Sequence, residues 1–242
     1  MAKLRLDVSM VARGLASSRE KAQALIMAGE VRVAGQKALK PGQTVGEDAV
    51  IEVAAPPLYV SRGGFKLAGA LDHFGIDVNG RVCLDVGAST GGFTDCLLQR
   101  GAARVHAVDV GTNQLDWRIR SDPRVVVHEN VNARTLSFED IRESVTLLVC
   151  DVSFISVTLI LPAALAMLEQ PMGEMVILVK PQFEVGKGQV GKGGIVREPE
   201  LHEQACRRVD ESVRALGYLT RLMPSPILGT EGNKEFLLYG HH

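Results

Sequence analysis

The chain has 242 residues, of which 46% are hydrophobic and 23% are charged, and its formal net charge is -1. This length allows one large domain, or a large domain with a small one. The apolar fraction excludes an intrinsically disordered protein. The near-neutral charge excludes a uniformly basic nucleic-acid-binding protein but allows a local basic face.

Cysteine usage and hydropathy predict a cytoplasmic protein without a membrane segment. The four cysteines contain no C-x-x-C pair, so we expect neither a disulfide framework nor a zinc site, and no other metal site. The N-terminus has no apolar signal core. The longest apolar run, residues 159–168, contains Pro162 and is about half as long as a membrane-spanning helix.

The first 54 residues predict a small α+β domain. A helix over residues 6–13 precedes a second helix, for which Ser17 and Glu20 form a capping box and Gly29 provides the stop. Short alternating segments at residues 31–33 and 50–53 then predict strands.

This domain has a basic surplus. Residues 1–40 contain eight Lys or Arg and three Asp or Glu, so their net charge is +5. Such a face attracts phosphates without reading sequence, and a merely solvated face is the alternative. A later glycine-rich loop adds two lysines, so that the candidate RNA-binding residues are Arg5, Arg19, Lys21, Arg32, Lys37, Lys187 and Lys192.

The same domain resembles a known RNA-binding family. The runs over residues 5–8, 14–22 and 26–35 are similar to the alpha-L RNA-binding motif of a small-subunit ribosomal protein, pseudouridine synthases and tyrosyl-tRNA synthetases. The resemblance implies that RNA is the ligand of residues 1–54.

Residues 55–63 predict a short, stiff linker, because Pro56 and Pro57 favour extended backbone. Beyond it, strand and helix patterns alternate over residues 64–242, which predicts a Rossmann-like, doubly wound α/β domain with seven strands. The predicted strands lie near residues 81–86, 104–110, 124–128, 146–151, 174–180, 219–224 and 234–240. The predicted helices lie near residues 64–74, 91–100, 113–120, 138–143, 157–169 and 198–216.

A glycine-rich segment after the first of these strands predicts a cofactor site. Glycines let the backbone approach a ligand at a helix N-terminus, and Asp109 ends the next strand, where a carboxylate can accept from ribose hydroxyls. The adenine ring of a nucleotide-like cofactor should lie after the third strand, and Asn132 is a better candidate than Arg134 for binding it. The candidate cofactor-binding residues are Asp85, Gly87, Ser89, Gly91, Gly92, Phe93, Asp109, Asn132 and Asp151.

S-adenosylmethionine (SAM) fits this segment better than a nicotinamide cofactor. The pattern is G-x-S-x-G-G rather than G-x-G-x-x-G, and Asp85 would repel a pyrophosphate. SAM carries a sulfonium and an ammonium, and Asp85 suits the ammonium or an ordered water beside it. A turn that binds no ligand is the structural alternative.

Four charged residues lie beside apolar strands or helices and are candidates for catalysis. They are Lys66, Asp151, Lys180 and Glu235. Two of them, Asp151 and Lys180, follow predicted strands, where open α/β sheets build their sites. Exposed ion pairs are common and weak, so surface pairing is the alternative.

Together with residues 84–94, 151–156 and 180–191, these four residues resemble the K-D-K-E tetrad of FtsJ-like ribose 2′-O-methyltransferases, and the chain from residue 2 to 240 resembles the haemolysin-like TlyA family. The resemblance implies that the tetrad is catalytic, that SAM is the cofactor, and that the substrate is a cytidine of ribosomal RNA, free or in a ribosomal subunit. The short N-terminus and the end at His242 resemble the shorter TlyA form, which acts on large-subunit rRNA.

A ribose 2′-hydroxyl is a weak acid and a poor nucleophile, so it needs a base or a neighbouring cation. We predict that Lys180 takes or polarises its proton, that Lys66 is the nearby cation, and that Glu235 orients the lysines. Asp151 is predicted to lie closest to the transferred methyl group. Alignment of the reacting atoms should provide much of the acceleration.

Several alternatives remain open from the sequence. The glycine-rich residues 186–194 are either a lid over RNA or a spacer without a role. Phe154 or Phe183 either stacks a flipped base or belongs to the core. The rival functions are a membrane-lytic haemolysin, a non-catalytic RNA-binding assembly factor and a small-molecule methyltransferase, and no pattern indicates the oligomeric state.

Overall fold

The computed structural model describes residues 3–54 and 57–242, and the chain divides into two compact units after Leu58. The first unit contains two helices and two small antiparallel sheets. Its elements are β1 (Lys3–Arg5), α1 (Leu6–Ala12), α2 (Arg19–Ala28), β2 (Val31–Val33), β3 (Gln36–Lys37), β4 (Thr44–Gly46) and β5 (Ile51–Val53). β1 pairs with β4, and β2 lies between β3 and β5.

The core of the first unit forms between its two helices. The apolar stripe of α2 places Ala22 and Ile26 in one cluster with Leu6 and Met10 of α1, and none of the four is more than 1% exposed. This packing confirms the predicted α+β unit.

The start of α2 differs from the prediction by one residue. Ser18, rather than Ser17, is the N-cap: its backbone is extended, with φ -150° and ψ 167°, and its hydroxyl accepts from the Lys21 N–H at 3.2 Å. The predicted capping box from Ser17 to Glu20 is therefore wrong. Two adjacent serines offer the same cap chemistry, and only the backbone geometry decides between them.

The predicted linker also differs from the observed division of the chain. Ala55 and Pro56 lie outside the described residues. Tyr59 is buried in the core of the second unit, and the N–H of Val60 donates to the Asp95 carboxylate at 2.8 Å. The chain from Tyr59 onward therefore packs as part of the second unit, because a buried ring and a buried carboxylate hold it there.

The second unit is built on a seven-stranded sheet, which confirms the predicted fold class. Its strands are β6 (Val82–Val86), β7 (Arg104–Val108), β8 (Val125–His128), β9 (Leu147–Cys150), β10 (Glu174–Val179), β11 (Leu219–Pro224) and β12 (Phe236–His241). Their order in the sheet is β11-β12-β10-β9-β6-β7-β8. The strands from β10 to β8 are parallel, whereas β12 is antiparallel to both of its neighbours.

Helices connect these strands. They are α3 (Gly63–Phe74), α4 (Gly92–Gln99), α5 (Trp117–Arg120), α6 (Phe138–Ile141), α7 (Leu161–Leu165), α8 (Pro181–Glu184) and α9 (Pro199–Arg214). Short 3-10 turns occupy residues 133–135, 157–159, 187–189 and 192–194. Within the described part of the chain, no helix is long and apolar enough to cross a membrane.

Two helices are much shorter than predicted, at half of the predicted length or less. The helix predicted over residues 113–120 is reduced to α5. Asp116 is its N-cap, and the side chain of Asp116 accepts from the Arg118 N–H. The one predicted over residues 157–169 is reduced to α7, because the chain after it pairs with Val145: the N–H of Glu169 donates to the Val145 carbonyl at 2.9 Å. Pairing with a distant segment thus ends a helix that its own apolar run would continue.

The central strands β9 and β10 are apolar on both faces, as a parallel sheet covered by helices requires. In β9, Leu148 and Cys150 belong to one core cluster, while Leu147 and Val149 belong to the other. Successive side chains of a strand point to opposite faces, so the sheet separates the two cores.

Candidate active site

One edge of the large sheet gathers the ends of four strands. β6, β9 and β10 are parallel, so their carboxyl ends lie at the same edge, and the antiparallel β12 begins there. The residues that follow β6, β9 and β10 therefore meet the residue that precedes β12, although Gly87 and Glu235 are 148 positions apart in the chain.

These segments line a cavity of about 590 Å³, which we call the central cavity. All four tetrad residues line it, together with Gly87, Ser89, Gly92 and Phe93 of the predicted cofactor segment. The tetrad residues are Lys66 on α3, Asp151 directly after β9, Lys180 directly after β10 and Glu235 directly before β12.

The tetrad forms two ion pairs. Lys66 Nζ lies 2.6 Å from Glu235 Oε2, and Lys180 Nζ lies 2.5 Å from Asp151 Oδ1. The Lys66 and Glu235 side chains are 9% and 3% exposed, and those of Lys180 and Asp151 are 10% and 20% exposed. Pairs this buried are not the surface contacts of the alternative interpretation, because charges withdrawn from water need their partners.

Ser153 is a site residue that the sequence reasoning missed. Lys180 Nζ donates to its hydroxyl at 2.8 Å, so Asp151 and Ser153 together hold the amine. Ser153 lies two residues after Asp151, inside the segment singled out for its resemblance. A serine there carries no signal of its own, and only the fold shows its contact.

The glycines of the cofactor segment make room for other parts of the chain. Gly87 has φ +85°, and a Cβ there would lie 2.5 Å from the Asp151 carbonyl oxygen. A Cβ on Gly92 would collide with the Ser61 hydroxyl and lie 3.0 Å from the backbone nitrogen of Gly64. These glycines therefore let other segments of the chain approach the loop closely. The sequence predicted that the glycines make room for a ligand, and it gave no sign of this packing within the protein.

Gly91, unlike Gly87 and Gly92, lies away from the central cavity. It has φ +94° at the start of α4 and does not line the central cavity. Ser89 also has a positive φ, at +48°, but it lies exposed on the cavity rim. Phe93 is 3% exposed and places its ring against Gly63.

Asp109 lies beside the loop, as its spacing from β6 predicts. Its two carboxylate oxygens accept from the N–H groups of Ser89 at 2.8 Å and Gly111 at 2.7 Å. It lines a second, small void of about 10 Å³, roughly the space of one water molecule. Each carboxylate oxygen has a further lone pair, so the group can still accept from ribose hydroxyls.

The structure does not bring Asn132 to either space. Its side chain accepts from the Arg134 N–H at 3.1 Å and caps the 3-10 turn at residues 133–135. Both Asn132 and Arg134 are exposed. The cap explains the asparagine, since this residue type commonly satisfies backbone N–H groups at helix starts.

Asp85 is fully buried and does not line the central cavity, whereas the sequence indicates a carboxylate that suits the SAM ammonium or an ordered water beside it. The Thr94 hydroxyl donates to Oδ2 at 2.6 Å, and Oδ1 has no hydrogen-bond partner among the described residues. Burial, with smaller contributions from the charges of Asp151 and Asp109, raises the pKa of Asp85 to about 7. The carboxyl group therefore lies below the cavity surface and changes protonation near neutral pH.

Asp85→Asn should remove a pH dependence of stability. The pKa of Asp85 rises from 3.8 to about 7 on folding, so the folded state binds more protons between these values and wild-type stability falls as the pH rises through them. We expect the free energy of unfolding of the variant, relative to wild type, to increase by about 2–3 kcal/mol between pH 5 and pH 8. Urea unfolding at both pH values measures this, and parallel pH profiles would contradict it.

The glycine-rich residues 186–194 are ordered at both ends. Gln189 accepts from the Gly186 N–H at 3.0 Å. Asn233 donates to the Gly194 carbonyl and accepts from the Val196 N–H, each at 2.9 Å. Asn233 is 2% exposed and lines the central cavity, so a buried amide joins this segment to the turn that carries Glu235.

Phe154 is not a core residue. It is 92% exposed, has φ +67°, and its ring centroid lies 5.4 Å from that of Phe183. Both rings line the central cavity, and Phe183 is half-buried. The core interpretation is therefore wrong for Phe154, and its exposed ring beside that of Phe183 offers a stacking surface.

Four of the five predicted RNA-binding residues of the first unit lie in two pairs, Arg5 with Arg19 and Arg32 with Lys37. Arg5 donates two hydrogen bonds, at 3.0 and 2.9 Å, to the buried Asp7, and Arg19 donates a third at 3.1 Å. These contacts, above all the one from Arg5, hold the pKa of Asp7 well below its usual range. On the adjacent sheet, Arg32 of β2 lies directly opposite Lys37 of β3.

All of these basic side chains remain available to solvent. Arg5 and Arg19 are 47% and 52% exposed, and Arg32, Lys37 and Lys21 are also exposed. In the second unit, Lys192 is exposed in a 3-10 turn, whereas the Lys187 side chain lies outside the described part of the structure.

Comparisons with known proteins agree with this geometry. Residues 59–242 match the family model described as FtsJ-like methyltransferase, and residues 4–51 match the S4 domain. The chain is 49% identical to "16S/23S rRNA (cytidine-2'-O)-methyltransferase TlyA" of Mycobacterium tuberculosis, over 97% of this chain and 88% of that protein. It is 48% identical to "Putative rRNA methyltransferase YqxC" of Bacillus subtilis, over 99% of this chain and 86% of that protein.

A solved structure shares the whole fold. It is described as "Putative hemolysin from Streptococcus thermophilus", is 44% identical, and superimposes with a TM-score of 0.74 over 99% of this chain and 88% of that one. With the family match over residues 59–242 and the identity to the relatives, this likeness shows that the chain belongs to the TlyA family of FtsJ-like methyltransferases.

Proposed function

We propose that this protein methylates the ribose 2′-hydroxyl of a cytidine in ribosomal RNA, with SAM as the methyl donor and the first unit as the RNA-binding part. The observation that carries the proposal is the pair of buried lysine–carboxylate contacts on the wall of the central cavity, next to the glycine loop. The names of the relatives supply the substrate class, because both name rRNA.

The residues around the loop fit a positively charged cofactor. The central cavity has the volume of a typical small-molecule site. The charges of Asp151 and Asp109 both act on the buried Asp85, whose Oδ1 has no partner among the described residues. Three carboxylates around one loop favour a cation and disfavour a pyrophosphate. We infer that Gly87, Ser89, Phe93 and Asp109 hold SAM, with Asp85 acting on it from below.

When bound, SAM supplies a methyl group on a sulfonium. The chain's own part is to hold and activate the acceptor. An ammonium group has three donors. Lys180 donates one of them to the Ser153 hydroxyl and forms an ion pair with Asp151. An N–H that remains can donate to the ribose oxygen and stabilise the negative charge that develops there as the hydroxyl proton passes to water and the oxygen takes the methyl group. Lys66, held by Glu235, adds a second positive charge on the cavity wall.

The exposed ring of Phe154 and the half-buried ring of Phe183 support a flipped nucleotide at the same cavity. A base that leaves its stack needs a replacement surface, and an aromatic side chain provides it. In Phe154 that ring stands on a backbone of positive φ, which a phenylalanine rarely adopts, so the fold holds it outward against a local cost.

Mapping of 2′-O-methyl groups tests the function. We propose large-subunit rRNA as the substrate, although the M. tuberculosis relative is named for both subunits. Primer extension on both rRNAs, from cells with and without this protein, should show one protein-dependent stop at a cytidine of the large-subunit rRNA. Unchanged stops in both rRNAs would contradict the function, and a stop confined to the small-subunit rRNA would contradict the choice of subunit.

Arg32 and Lys37, which lie opposite each other on the β3-β2-β5 sheet, should contribute part of the RNA affinity. We expect an Arg32→Ala, Lys37→Ala double variant to weaken RNA binding about tenfold and to lower the salt dependence by about 1.4, since each lost phosphate contact removes about 0.7 from the slope of log K against log salt. Filter binding at several salt concentrations measures both. Arg118→Ala, which removes an exposed arginine paired with Asp116, is the control, and an equal loss in it would contradict the prediction.

A further inference from the structure

Glu184 is a buried carboxylate that the proposed chemistry does not use. It lies at the end of α8, four residues after Lys180, and is 3% exposed. Its Oε2 accepts from the Ser156 hydroxyl at 2.6 Å, and its Oε1 accepts from the Val157 N–H at 2.8 Å. Burial raises the pKa of Glu184. Burial of a carboxyl group costs free energy of solvation, and hydrogen bonds such as those from Ser156 and Val157 offset that cost.

These bonds join the two segments that carry one half of the tetrad. The segment after β9 carries Asp151 and Ser153, and it ends at Ser156 and Val157. The segment after β10 begins with Lys180. Lys180 contacts the first segment at its start, through Asp151 and Ser153, and Glu184 contacts it at its end. The two segments are therefore linked at two points, one on each side of Phe154.

The backbone of Glu184 is fixed as well. Arg208, on the long helix α9, donates to the Glu184 carbonyl at 2.7 Å. α8 is a single helical turn of four residues and cannot hold its own position by length. Its place in the fold thus depends on α9 on one side and on the Glu184 carboxylate on the other.

We propose that Glu184 is a positioning residue for methyl transfer: it holds the segment of residues 151–157 in register with α8, so that the Lys180 amine stays between Asp151 and Ser153. This inference rests on the function proposed above. Without the carboxylate, the far end of the segment is released and Asp151 and Ser153 lose their fixed distance from Lys180. A displacement of about 1 Å at reacting groups can lower a rate about a hundredfold.

Three variants of the full chain test the role: Glu184→Ala, Glu184→Gln and Ser156→Ala. We expect Glu184→Ala to lower kcat about 30- to 100-fold, with the KM for rRNA and the Kd for SAM within about threefold of wild type. Glu184→Gln keeps an oxygen for the Val157 N–H and a group for the Ser156 hydroxyl, so its kcat should stay within about fivefold. Ser156→Ala removes only one of the two bonds and should lower kcat about three- to tenfold.

The measurements are steady-state methyl transfer at several rRNA concentrations, SAM binding by calorimetry and the Tm of each variant. If Glu184→Ala does not fold, Glu184→Gln and Ser156→Ala still decide the matter. A wild-type kcat in Ser156→Ala would overturn the inference, and so would a wild-type kcat in a folded Glu184→Ala. If a variant with a lowered Tm regains the wild-type kcat at temperatures well below that Tm, the role of Glu184 is purely structural, and this result would overturn the inference too. Wild-type protein that transfers no methyl group would instead refute the proposed function, and the positioning role with it.

Discussion

Lys180→Ala should lower the rate of methyl transfer about a thousandfold while RNA binding stays within about twofold of wild type. The amine lies between Asp151 and Ser153 on the cavity wall, so its removal takes away the group that meets the acceptor hydroxyl. The basic residues of the first unit remain, and they supply the phosphate contacts. Transfer of a labelled methyl group to rRNA and a filter-binding assay measure the two quantities on the same preparation.

Lys180→Arg is the matched variant, because it keeps the positive charge. A guanidinium is a planar fork rather than a compact point charge, so it does not fit the contacts that an ammonium makes with Asp151 and Ser153. We expect a loss of about a hundredfold or more. Methyl transfer at the wild-type rate in Lys180→Ala would contradict the catalytic assignment, whereas an inactive wild type that binds rRNA would favour the RNA-binding assembly factor.

Glu235→Ala should lower both stability and activity. Its carboxylate pairs with Lys66 at 2.6 Å in a place where both side chains are less than 10% exposed. Removal of one partner leaves an uncompensated buried charge, which costs about 3–5 kcal/mol. We expect that decrease in the free energy of unfolding, measured with urea, and a loss of methyl transfer of about a hundredfold or more, because Lys66 is no longer held at the cavity wall.

The double variant Lys66→Met, Glu235→Leu separates the two effects. Apolar side chains of similar volume can replace a buried ion pair with little or no loss of stability. The double variant should therefore recover most of the unfolding free energy that Glu235→Ala loses, yet remain inactive. Recovery of methyl transfer together with stability would show that the pair serves the fold alone.

Local patterns along the chain were sufficient for the architecture. The apolar segments and the turns between them predicted all seven strands of the large sheet. For the central parallel strands the reason is burial on both faces, which leaves a continuous apolar run in β9 and β10. The sequence also indicated the positions of the glycine segment after β6 and of Asp109 after β7, since both follow the end of a predicted strand. The tetrad came from its resemblance to a family, and strand pairing then explained why Asp151, Lys180 and Glu235 meet.

The contacts within the site depended on the tertiary structure. That Asp85 is buried, that Ser153 holds Lys180 and that Glu184 joins two segments are facts about residues that face each other only after β6, β9 and β10 pair. The same holds for the shortened α7, where pairing with Val145 overrides an apolar run. Periodicity reports which face of an element is buried, whereas the partner on that face is chosen by the order and direction of distant strands.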